Sequence, residues 1–370
     1  MPALALTVVA IWFLARPANP GVAQVAAVAL LAAFGLTPFV RLIALRTGAL
    51  DHPDARKTHE APTPKLGGVA VIAAFVLSLG QRPLIDHELL AIAVCSLVLM
   101  LAGAVDDTRG LSAGLRLGLQ LVCACAVIVA GVSLNLVPGR AGAAANVALS
   151  ILWIVGITNA YNFIDGMDGL AASLGALIAL LLALFARGAG QPALVAVCAA
   201  LAGALLGFLP HNLRQGRPAS IFLGDSGSAS VGFLLAALAI KEDWAEGDPL
   251  VALAAPVLIF SVPIYDMIRT TVTRIVSGRV RSFRGWLDYV GRDHIHHRFT
   301  ALLGGPRPAL VLILTLALGL GLSALGLRRG APGQALIFLI HAALVLLVVA
   351  VLEEAAGRDR SVSEGRERRE

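Results

Sequence analysis

Residues 88–107 read ELLAIAVCSLVLMLAGAVDD: a run of apolar and small side chains that ends abruptly in two aspartates. A bilayer crossing needs about 20 mostly apolar residues, so the run reads as a membrane span. A carboxylate at the edge of hydrocarbon is costly and is a functional candidate by default. The pattern recurs. Asp165 with Asp168, Asp225 and Asp266 each stand where an apolar run breaks into a polar loop. The spans between these groups return the chain to one membrane face each time. An active site assembled from several loops at one end of a helical bundle is the expectation.

Composition agrees. Of 370 residues 58% are hydrophobic and 14% charged, with mean hydropathy +0.84. A soluble domain is nearer half apolar and a quarter charged. The net charge of +6 does not point to nucleic acid, because the basic residues lie in loops and the tail. Cys95, Cys123, Cys125 and Cys198 fall inside apolar runs and read as buried bystanders. Residues 3–15 have no basic leader and no cleavage site. They read as a short interfacial or partial helix and not as a signal peptide.

Candidate spans cover 22–45, 66–82, 88–105, 115–134, 143–161, 170–187, 193–210, 221–240, 250–269, 308–327 and 332–352. The expected fold is an all-α polytopic membrane protein of about 11 helices, with 10–12 as the range. One domain spans 1–352. A charged tail over 353–370 is expected to be disordered. Of 29 Lys and Arg residues, seven (Arg16, Arg82, Arg140, Arg187, Lys241, Arg328, Arg329) fall on one side, which leaves 22 on the other. The richer side is assigned to the cytoplasm of a plasma (inner) membrane. All the aspartate groups fall there, as do His294, His296 and His297.

Each motif has its own chemistry. Asp106-Asp107 suits a divalent cation, since magnesium takes one or two carboxylates plus phosphate oxygens. A salt-bridged helix end is the plainer alternative. Residues 159–171, NAYNFIDGMDGLA, set Asn159, Asn162, Asp165 and Asp168 between two spans, with glycines that let the backbone approach a ligand. Residues 222–228, FLGDSGS, place Asp225 at the start of a span. There helix amides with Ser226 and Ser228 suit phosphate and Asp225 suits magnesium, and a capped helix start is the competing reading. Residues 293–299, DHIHHRF, combine histidines with Arg298 and suit a diphosphate better than zinc, since no cysteine lies nearby. The loop from Asp51 offers Arg56, Lys57 and Lys65 to phosphate, a weak signal on a basic face.

Together these motifs resemble the polyprenyl-phosphate N-acetylhexosamine-1-phosphate transferases, over roughly residues 30 to 300 and in the family's order. DHIHHRF resembles the undecaprenyl-phosphate GlcNAc-1-phosphate branch of glycosyltransferase family 4. The resemblance implies that Asp225 binds Mg2+, with Mn2+ as a substitute and Asp106 and Asp107 as further candidates. It implies that Asp106 and Asp107 act near the lipid phosphate, and that Asn159, Asn162, Asp165 and Asp168 line the nucleotide-sugar site. His296, also a catalytic candidate, and His297 would hold the diphosphate. Lys57, Arg116, His294, His297 and Arg298 would gather the phosphates. There are departures: Arg116 stands where the family usually shows lysine, residues 212–219 are extended, and so is the loop from Arg279 to Gly291 with Phe283, Trp286 and Tyr289. That loop is where sugar choice is expected.

The expected reaction is attack of undecaprenyl phosphate on a UDP-N-acetylhexosamine, first UDP-GlcNAc, with release of UMP. The product would start a cell-envelope polysaccharide such as an O-antigen of lipopolysaccharide. UDP-GalNAc, a 6-deoxy sugar or UDP-MurNAc-pentapeptide are alternative donors, and a homodimer is left open. An ion-coupled carrier is the rival class. A carrier should show repeat symmetry and a midplane site, and the sequence shows neither.

Overall fold

The computed structural model describes residues 21–53, 61–80, 86–241, 244, 249–289, 291–327 and 333–367. The stretch 3–15, Arg56 and Lys57 lie outside them. The chain is helical almost throughout. In order the helices are α1 (Val22–Thr47), α2 (Gly67–Leu79), α3 (His87–Arg109), α4 (Ala113–Val129), α5 (Gly139–Ile164), α6 (Leu170–Gly188) and α7 (Pro192–Asn212). They continue with α8 (Asp225–Lys241), α9 (Pro249–Ile259), α10 (Ser261–Val276), α11 (Phe283–Asp288), α12 (Ile295–Leu303), α13 (Pro306–Leu327) and α14 (Gln334–Glu367). A two-residue ladder pairs Leu50–Asp51 with Thr63–Pro64, antiparallel.

Seven of these helices (α1, α3, the Gly142–Ile164 part of α5, α6, α7, α13 and the first 21 residues of α14) are long and apolar enough to cross a bilayer, among the described residues. The span expected over 250–269 is not continuous. It is α9 and α10, bent by 79° at Phe260. Pro263 sits in the first turn of α10, where a missing N–H goes unneeded. The break gives α10 its own direction and lets it reach the site. Helix α14 runs on through residues 353–367. Cys125, expected to be buried, is exposed on α4, while the other three cysteines are buried.

Helix ends follow local rules. Asp86 accepts the N–H of Leu89 at 2.8 Å to start α3, and Ser112 accepts that of Leu115 at 3.3 Å to start α4. Small residues set the packing. A methyl added to Gly203 or Gly207 of α7 would fall 2.2 Å from the carbonyl oxygen of Ala26 and 2.1 Å from that of Leu30, so α1 lies directly on α7. Helix α8 is the buried axis and packs against α2, α3, α5 and α6. At the end of the bundle away from the aspartates, Lys241 of α8 pairs with Asp86 at 3.0 Å and with Glu88, which ties α8 to α3.

Candidate active site

The ends of α1, α3, α5 and α7 and the starts of α2, α4, α6 and α8 meet at one end of the bundle. The junction is backbone against backbone. Gly67 and Gly68 donate to the carbonyls of Phe222 and Leu223 at 3.0 and 2.8 Å, and Phe222 donates to Pro64 at 2.8 Å. A methyl on Gly68 would fall 2.0 Å from the Gly227 nitrogen, and one on Gly103 would fall 2.5 Å from the Asp225 carbonyl. No larger residue fits at either place, so the start of α8 is fixed by its neighbours.

Asp107 holds that start. Its side chain is fully buried, and its two oxygens accept the N–H groups of Asp225 (3.1 Å) and Ser226 (3.0 Å). Gly224, at φ 74°, turns the chain so that these amides face α3. The remaining first-turn amides, Gly227 and Ser228, donate to the Gly224 carbonyl, and the Ser226 and Ser228 hydroxyls donate to Leu223 and Gly224. The phosphate cradle expected at the start of α8 is therefore replaced by an internal cap, because Asp107 and the turn itself consume the donors. Lys65 faces Asp107 at 3.9 Å and Asp51 at 4.0 Å.

Asp106, next in sequence, points elsewhere. It accepts the Leu111 N–H at 2.6 Å and pairs with Arg116 at 3.0 Å. Asn162 donates to Asp225 at 3.0 Å and to Ser228 at 2.6 Å. Asn159 pairs with Gln120 through an amide contact of 2.6 Å. These groups line a narrow pocket of about 40 Å³ whose other walls are apolar, among them Leu99, Leu111 and Leu119. Gln120 was missed in the sequence because a lone amide inside an apolar run carries no motif.

Asp165 and Asp168 part company. Asp168 accepts the N–H of Ala219 at 2.8 Å and so braces the loop before α8. Asp165 faces the other carboxylates. Burial first, then Asp225 and Asp107, push its carboxyl up to about 8. Lys65 reaches Asp107, whereas Asp165 feels the like charges of Asp225 and Asp107, so negative charge gathers here. A hard divalent cation fits such a site. No three His, Cys, Asp or Glu side chains form a ready metal cage among the described residues. Magnesium needs none, since it takes one or two carboxylates and completes its shell with water and phosphate oxygens.

The histidines arrive on α12. His296 is 3% exposed, and among the described residues neither of its ring nitrogens has a hydrogen-bond partner. Its Nε2 lies against Gly166, where an added methyl would sit 2.2 Å away. Burial first, then the charges of His297, His294 and Arg298, hold its imidazole well below the ordinary histidine value. His297 packs on it with ring centroids 4.2 Å apart and is also held low, first by burial. Arg298, expected on the diphosphate, is instead engaged by Asp266 at 3.3 Å and by Glu353 at 3.2 Å. Glu353 sits on α14 and also accepts from the Tyr265 hydroxyl at 3.0 Å. In sequence it reads only as the first charge of a tail.

A family model described as glycosyl transferase family 4 matches residues 89–242, which hold Asp106, Asp107, Asn162, Asp165 and Asp225. The decaprenyl-phosphate N-acetylglucosaminephosphotransferase of Mycolicibacterium smegmatis is 31% identical over 355 residues, covering 85% of this chain and 84% of its own length. The chain belongs to glycosyl transferase family 4. Two further members are each 29% identical to it. The probable undecaprenyl-phosphate N-acetylglucosaminyl 1-phosphate transferase of Bacillus subtilis aligns over 89% of this chain and 90% of its own length. The undecaprenyl-phosphate alpha-N-acetylglucosaminyl 1-phosphate transferase of Escherichia coli K12 aligns over 74% and 75%. This family member is thus a multi-pass membrane transferase.

Proposed function

We propose that the chain transfers N-acetylhexosamine-1-phosphate, most simply GlcNAc-1-phosphate, from a UDP-sugar to undecaprenyl phosphate at the cytoplasmic face of the plasma membrane. One observation carries the reading. The pocket beside Asp225 joins Arg116, Asp106 and Asn162 to leucine walls, as a phosphate at the head of a hydrocarbon chain requires. The printed names of the three relatives point the same way.

A non-bridging oxygen of the lipid phosphate attacks the sugar-linked phosphorus. The bond from that phosphorus to the oxygen bridging the two phosphates breaks, and UMP leaves with that oxygen. Both reactants are anions, so catalysis is mostly positioning and charge neutralisation. Arg116, oriented by Asp106, receives the lipid phosphate as a planar fork. Asn162 orients the Asp225 carboxylate. His296, neutral at physiological pH, donates one N–H to a phosphate oxygen. Asp225, with Asp165, would hold Mg2+, which supplies charge neutralisation at the diphosphate.

Purified protein in detergent, given undecaprenyl phosphate, Mg2+ and a panel of UDP-sugars, should release UMP with one donor. Release should be lost in Asp225→Asn. Folded protein that releases no UMP with any donor would overturn the reading.

A further inference from the structure

Helix α10 grips the histidine segment along one stripe. Asp266, Thr270 and Arg274 recur every four residues and so share a face. They are 0%, 2% and 2% exposed. Arg274 holds the Asp293 carboxylate with two bonds of 2.8 and 2.7 Å, and Thr270 donates to the Asp293 carbonyl at 3.4 Å. Burial works against the charge on Asp293, but Arg274 outweighs it and holds the carboxyl below its ordinary value.

Asp266 is the centre of this grip. A buried carboxylate is tolerated only when its oxygens are satisfied. Asp266 accepts from His294 Nδ1 at 2.7 Å, from the Ile295 backbone N–H at 2.5 Å and from Arg298 at 3.3 Å. A carboxylate only accepts and a guanidinium only donates. The contact to Asp266 therefore places a proton on His294 Nδ1. The 3.2 Å contact from Arg274 to His294 Nε2 requires that nitrogen to accept. Both nitrogens of His294 are consumed within the protein.

His296, two residues on, has no hydrogen-bond partner at either ring nitrogen among the described residues. The rings of His294 and His296 are 3° from parallel with centroids 6.0 Å apart, and Phe163 of α5 backs His294 at 5.2 Å. We propose that Asp266 is the positioning residue of the site. It fixes the His294 ring and the first turn of α12, and so aims His296 at the Gly166 turn. Asp266 touches no reacting atom and acts through His294 and Ile295, in the manner of an outer group that orients an inner one. This rests on the transferase reading above.

A double-mutant cycle on the full-length protein tests it. Asp266→Asn keeps the shape but turns an acceptor into a donor, and should lower kcat by about 10–100-fold with little change in KM. In a His296→Ala background the same substitution should change kcat by less than about twofold, because the residue it aims is gone. An equal loss in both backgrounds, or none in the first, would overturn the proposal. A second measurement needs no Asp266 variant. 15N-histidine NMR of the wild-type chain, assigned with His294→Gln, should show His294 protonated on Nδ1 with Nε2 as acceptor. The opposite tautomer would overturn the proposal even if the fold were unharmed. A wild-type chain that releases no UMP with any donor would strike the transferase reading alone, and the tautomer would still judge the placement of His294.

Discussion

Asp107 Oδ1 lies 3.1 Å from the backbone nitrogen of Asp225, although 118 residues separate the two. Two motifs that look like parallel metal ligands in the sequence are thus unequal in the fold. Asp107 anchors the start of α8, and Asp225 projects from it.

This inequality can be tested on stability. Asp107→Asn sets an amide donor against a backbone donor in a buried place. Leaving a buried group unsatisfied costs about 1–3 kcal/mol. The variant should melt earlier in detergent, whereas Asp225→Asn should melt close to the wild type. Equal thermal shifts for the two variants would count against the anchoring role.

Activity should divide differently. Asp225→Asn should lower kcat by about 10²–10³-fold, the range seen when one preorganised charge-stabilising group is removed. Its residual activity should no longer respond to Mg2+. A Mg2+ titration of UMP release that matches the wild type would show that Asp225 is not where the cation acts.

Gly166 offers a steric probe. A methyl there would fall 2.2 Å from His296 Nε2, while one on Gly156 of α5 meets nothing within 4 Å. Gly166→Ala should lower UMP release by displacing His296 or the turn, and Gly156→Ala should be silent. The comparison is made at matched expression and matched melting temperature.

Asp165 sets a pH dependence. Its folded value of about 8 exceeds its ordinary 3.8, so the folded state holds this proton more tightly than the unfolded chain. The associated stability is complete below about 3.8 and is lost as pH rises through about 8. His296 and His297, held below the ordinary histidine value, are already neutral in the upper part of that window. With EDTA present, the melting temperature should fall between about pH 4 and about pH 8, and Asp165→Asn should flatten the fall. Equal slopes would mean that another group titrates.

The membrane class and the all-helical fold were legible in the sequence, because each depends on local composition. An apolar run such as 88–105 has few places to go but hydrocarbon, and lysine and arginine bias its direction. Asp106, Asn162, Asp165, Asp225 and His296 stand out in the sequence as candidates, since carboxylates, amides and imidazoles at the ends of apolar helices demand partners. What each one does was not legible there. Asp106 and Asp107 are neighbours in sequence, yet a helix turns about 100° per residue, so one faces Arg116 and the other caps α8. His294 and His296 differ only because α10 reaches one of them and not the other. Gln120, Arg274 and Glu353 carry no motif and acquire meaning only from what packs against them. The 79° break before α10 belongs to the same class, for Pro263 permits a bend but its direction comes from the helices it meets. The sequence by itself determined which groups must leave water and which must not. Only the tertiary structure decided their partners, because a buried charge takes its role from whatever donor or carboxylate folding brings within hydrogen-bond reach.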